Sequence, residues 1–87
     1  MLVPLYGFVE GDTLGLLVLA HDDMSIAEVA SKLRDSARLR VANPRPYRLF
    51  ADGLPLPSAR TVADAGLRPL SRVDLRFVER LPLEGAP

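Results

Sequence analysis

The sequence predicts a two-layer α+β domain, a single sheet packed on a single helix. Two apolar runs flank a Gly-Asp turn near the start, and a strongly capped amphipathic helix follows them. Short apolar and alternating segments then complete the chain. A hairpin, a helix crossing one face and further strands on the same sheet give this layering. With 87 residues, 48% of them hydrophobic, the chain supports one modest core and not two.

Val3 to Val9 and Leu14 to Ala20 read as the two hairpin strands, joined through Glu10-Gly11-Asp12-Thr13. Pro4 has no amide to donate, so it belongs near the strand's start or on a side free of pairing. Gly7, inside the strand, predicts a bulge or a close backbone approach. Ser25 and Glu28 form an S-x-x-E capping box, with Met24 and Val29 as its hydrophobic staple. Asp22 and Asp23 are placed to favour the positive end of that helix. Ile26, Val29, Ala30, Leu33 and Ala37 recur with the spacing of one buried stripe, predicting a helix over roughly 25–38 that Pro44 and Pro46 cannot prolong.

Tyr47 to Ala51 is a short strand, Asp52-Gly53 a turn, and Leu54-Pro55-Leu56-Pro57 a stubby edge piece. Thr61 to Gly66 reads as one capped helical turn. Val73 to Val78 alternates apolar with charged residues, as a half-buried strand does. The aromatic residues Tyr6, Phe8, Tyr47, Phe50 and Phe77 all fall on strand positions expected to be core. A single domain over 1–80 with a flexible C-terminal tail over 81–87 is the expected organisation.

The chemistry available is narrow. There is no cysteine, which excludes disulfides, thiolate metal sites and thiol nucleophiles. The single histidine, His21, excludes paired-histidine metal motifs, and a lone one is ordinarily structural or solvated. No serine stands in a nucleophile elbow, and no glycine-rich phosphate loop exists. Glu10/Asp12 and Asp22/Asp23 suit a turn and a helix terminus better than a catalytic dyad. Eleven basic and eleven acidic residues cancel, so no net field draws the chain to nucleic acid or to a membrane. With no basic leader and no spanning segment, the expected compartment is the cytoplasm.

Charge is nevertheless uneven: residues 32–60 hold seven basic side chains against Asp35 and Asp52. Arg34, Arg38, Arg40, Arg45 and Arg48 form the candidate partner surface, with Leu54 and Leu56 as an apolar rim. Arginine is enriched where interfaces meet carboxylates, although a solvated face produces the same pattern.

The segment from Tyr47-Arg48-Leu49-Phe50-Ala51-Asp52-Gly53 through Thr61-Val62-Ala63-Asp64 to Asp74-Leu75-Arg76-Phe77 resembles the β-grasp, or ubiquitin-like, fold. That resemblance implies a mixed four- to five-stranded sheet on one helix. The terminal Leu83-Glu84-Gly85-Ala86-Pro87 lacks the Gly-Gly end of conjugated modifiers and sulfur carriers. Pro4, Phe8 and Glu10-x-Asp12, Ser25-x-x-x-Val29-Ala30-x-Lys32, Arg40-Val41 before Pro44, Thr61 to Pro69 and Asp74-x-x-Phe77 together resemble the toluene-4-monooxygenase protein B family. These are the small gamma subunits of bacterial aromatic monooxygenases. Val9, inserted between Phe8 and Glu10, and the few aromatics after the helix depart from that pattern and leave room for a paralogue of another complex. The resemblance implies an accessory subunit with no catalytic residue and no cofactor of its own. It would pack on a large helical subunit that carries a di-iron centre. The alternative is a free-standing ubiquitin-like adaptor, such as those of type VII secretion systems.

Overall fold

The computed structural model describes residues 1–79, so the tail expected over 81–87 lies outside the described residues. Strands β1 (Leu2–Val9), β2 (Gly15–His21), β3 (Tyr47–Ala51), β4 (Leu54–Pro55) and β5 (Arg72–Phe77) surround one helix, α1 (Ile26–Ser36). They form a single sheet in the order β2-β1-β5-β3-β4. Only the β1–β5 pair is parallel, so the last strand lies between the first and the third and closes the sheet.

The predicted hairpin is present, with Pro4 paired to Leu19 near one end of the ladder. Asp52 and Gly53 both adopt positive φ, 53° and 77°, and join paired Ala51 and Leu54 in the two-residue turn that matches strand twist. Gly7 is a close approach and not a bulge: a Cβ there would lie 2.6 Å from Leu33 Cδ1 on the helix. That contact lets α1 settle against β1. The core between helix and sheet gathers Val3, Leu5, Ala20, Ile26, Val29, Leu33, Leu49, Val73 and Leu75, all nearly inaccessible to solvent.

The helix starts at the predicted cap, where the Ser25 hydroxyl accepts from the Glu28 amide at 3.1 Å. The return contact of the capping box differs, because Glu28 Oε1 accepts from the Ser25 hydroxyl. Asp22 is not spent on the helix end; it accepts from the Met1 ammonium at 2.9 Å. The first helical amides instead find carbonyls far along the chain. Ile26 N donates to Arg60 O and Ala27 N to Ser58 O, while Val62 N and Ala63 N donate back to Met24 O and Asp22 O. Buried Val62 pins this crossing. Thr61 caps Asp64 N as expected, and Thr61–Gly66 closes as a single turn, with Ala65 N donating to Thr61 O and Gly66 N to Ala63 O, while the Val62 and Ala63 amides serve the helix start.

Candidate functional site

The acidic residues act as latches. Glu10 accepts from the Phe77 amide at 2.8 Å, tying the hairpin turn to the end of β5. Among the described residues no three His, Cys, Asp or Glu side chains converge on a point where a metal ion could be held. His21 ends β2 and is exposed.

The five arginines do not share one face. Arg34 is half-buried; it donates to Asn43 O at 3.0 Å and lies over the Phe77 ring, sealing the gap between α1 and β5. Arg38 pairs with Asp35 one helical turn back, both exposed. Arg40 reaches Asp12 in the hairpin turn at 2.9 Å, holding the helix exit to the first loop. Arg45 is exposed in the following loop, its amide bonded to Asn43 Oδ1. Arg48 is on β3, paired with Arg76 on the sheet face turned away from the helix. Of the rim residues, Leu54 is exposed on edge strand β4, whereas Leu56 packs against the core.

The Asp12 side chain is only 3% exposed. Burial pushes its pKa up, but the Arg40 hydrogen bond and charge and the Leu14 and Thr13 amides outweigh this, so the carboxyl titrates below its ordinary value of 3.8. A depressed folded-state pKa stabilises the fold above the unfolded value, and that stability disappears as pH falls through the folded value. Asp12→Asn is therefore expected to lower the melting temperature most near neutral pH. The gap to wild type should close below about pH 4. Thermal melts across pH 2.5–7 check this, and a gap constant with pH would refute the latch.

The helix-free face of the sheet is the surface that one-dimensional reading missed. The strand register puts Leu2, Pro4, Tyr6 and Phe8 of β1 beside His21, Leu19, Leu17 and Gly15 of β2. Leu17 is 60% exposed and Leu19 54%. All five aromatics were expected in the core; Tyr47 and Phe77 do pack against it, whereas Tyr6, Phe8 and Phe50 lie on the helix-free face. Strand parity decides this: Val3, Leu5 and Val9 occupy the inward positions of β1, so the even-numbered residues face out. Tyr6 and Phe8 stack at 5.7 Å, Arg72 lies 4.2 Å over Phe8, and Arg76 lies 5.0 Å over Phe50. An open cleft of about 480 Å³ is lined by Phe8, Glu10, Asp12, Arg72, Asp74 and Arg76. The signal available in the sequence was that both hairpin strands are apolar at nearly every position, where a one-sided antiparallel pair would alternate.

One helix laid on a mixed five-stranded sheet, the last strand between the first and the third, defines a ubiquitin-like β-grasp domain. The solved structures agree. The chain matches ubiquitin of Caldiarchaeum subterraneum at a TM-score of 0.73 and 15% identity, over 90% of this chain and 95% of that one. It matches the ubiquitin-like domain of Plasmodium falciparum Dsk2 at the same score and identity, over 90% and 100%. More specific is a chain of the toluene 4-monooxygenase HD complex bound to the inhibitor 4-bromobenzoate. It matches at a TM-score of 0.80 and 27% identity, over 90% of this chain and all of that one. No curated protein sequence matches. The family model for toluene-4-monooxygenase system protein B covers residues 2–77, and the chain belongs to that family.

Proposed function

We propose that this chain is a non-catalytic accessory subunit of a multicomponent di-iron monooxygenase acting on aromatic hydrocarbons, and that it packs on the large catalytic subunit. The observation that carries this reading is the family match over residues 2–77, supported by end-to-end likeness to a chain of a toluene 4-monooxygenase complex. The described residues do not fit the metal centre itself. A carboxylate-bridged di-iron site takes Glu-x-x-His pairs from facing helices, and this chain has one histidine, on a strand, and one helix among its described residues. No step of the oxidation is assigned to it; its part is to hold the large subunit in its assembled form. No helix among the described residues is long and apolar enough to cross a membrane, and we place the complex in the cytoplasm. Likeness to ubiquitin-like domains at 12–15% identity supports the fold alone, so a free-standing adaptor gains nothing from it.

Co-expression with the large subunit tests the assignment. The two are expected to co-purify, with iron following the large subunit and aromatic hydroxylation falling when this chain is omitted. Equal assembly and equal turnover without it would refute the role.

A further inference from the structure

We propose that the chain docks through the helix-free face of β2, β1 and β5 and the free outer edge of β2, and that the occupant is a surface of the large subunit presenting an apolar strip bordered by carboxylates. This rests on the accessory-subunit reading and adds to it the face and the partner's chemistry.

Two independent features mark this face. The first is the edge. β2 ends the sheet, and its seven residues, GLLVLAH, carry no lysine, no proline and no bulge, the devices that keep a free edge from pairing. A long apolar edge left in this state is one that another chain covers. The second is the division of the face into an apolar half and a cationic half. Leu2, Tyr6, Leu17 and Leu19, each about half exposed or more, occupy the β1–β2 side. Arg48, Arg72 and Arg76 occupy the β5–β3 side, with Asp74 among them paired to Arg72 at 3.0 Å. Arg72, over the Phe8 ring, already donates to Asp74 through Nε and Nη2, whereas Arg76 lies 5.0 Å over the Phe50 ring and is the guanidinium placed to meet a partner's carboxylate.

The charge pattern selects among occupants. A second copy laid across the whole face brings either arginine onto arginine or leucine onto arginine, depending on the direction of its two-fold axis. Pairing only the apolar halves covers two strands' width, well short of the roughly 800 Å² per partner of a stable interface. Single-stranded nucleic acid requires free ring faces for stacking, and here Phe8 is covered by Tyr6 and Arg72 and Phe50 by Arg76. An apolar strip with an acidic border satisfies both halves at once.

The test uses the co-expressed complex. Leu17→Asp with Leu19→Asp is expected to weaken association about 30-fold or more, as for buried anchor residues. Arg76→Glu should weaken it about tenfold or more, with a larger loss at low salt. Arg38→Glu with Arg45→Glu, on the helix side, should change it by less than about threefold. Amide exchange of wild type supplies a readout independent of any variant: β2 amides should slow on complex formation. Wild-type association together with unaffected Leu17/Leu19 and Arg76 variants and unprotected β2 amides overturns the face while leaving the accessory role standing. Absence of wild-type association overturns both. Protection of β2 by a single-stranded RNA oligonucleotide, or variants that dissolve a homodimer but not the complex, also overturns the proposal.

Discussion

Leu33→Ala is expected to cost about 2–5 kcal/mol of stability, the range for truncating a fully buried leucine that its neighbours cannot replace. Leu33 is 0% exposed and sits at the centre of the apolar stripe of α1. Its side chain fills the space that Gly7 leaves open on β1, with Cδ1, Cδ2 and Cγ at 2.6, 2.9 and 3.3 Å from where a Cβ would be. Gly7→Ala should therefore destabilise by about 1–3 kcal/mol through overpacking, since a leucine enclosed on all sides has nowhere to swing. The two losses must not add. Once Leu33 is shortened, an alanine at position 7 partly fills the resulting cavity, and contacting residues of this kind show coupling of about 0.5–3 kcal/mol. Denaturant midpoints of the two single variants and the double variant measure the coupling. Strict additivity would show that helix and strand do not meet at this point.

The stripe that contains Leu33 was legible because a helix reports its buried face through the spacing of apolar residues. The Asp52-Gly53 turn was legible for a similar reason, since few residues accept two successive positive φ values. Strand faces were not. In β1 and β2 the outward positions are Leu2, Tyr6, Phe8, Leu17 and Leu19, as apolar as the inward Val3, Leu5, Val18 and Ala20. Alternation, the only periodic sign of a strand's orientation, is erased when both faces are apolar. The same absence of alternation is what a second covered face produces. Two further features depend on partners distant in sequence. Segment 58–63 supplies carbonyls to the helix start, and Arg34 and Arg40 spend their charges within the fold, on Asn43 O and Asp12. A run of arginines in sequence shows charge density but not which guanidiniums are already engaged. Leu70 stays outside this account. It is 63% exposed in a left-handed backbone with φ 67°, donates to Pro4 O, and nothing in the core explains a leucine there.

Leu75→Ala is expected to lose a similar 2–5 kcal/mol, with a further consequence set by topology. Leu75 is 0% exposed on β5, the strand that joins the β1–β2 hairpin to the β3–β4 hairpin. It pairs with Val9 on one side and Leu49 on the other, and its carbonyl accepts from the Glu10 amide at 2.9 Å. Neither hairpin is stable alone, because an isolated two-stranded unit is marginal at best in water. Weakening β5 should therefore not free one half of the sheet ahead of the other; both should be lost together. The two tyrosines allow this to be observed, since Tyr6 is on β1 and Tyr47 on β3, with no tryptophan to mask them. In single-tyrosine versions carrying Leu75→Ala, both fluorescence midpoints and the circular dichroism midpoint are expected to fall by the same amount and to coincide. A Tyr6 signal that persists to higher denaturant than the Tyr47 signal would mean the first hairpin stands without β5. The closing strand would then be an addition to the core and not its keystone.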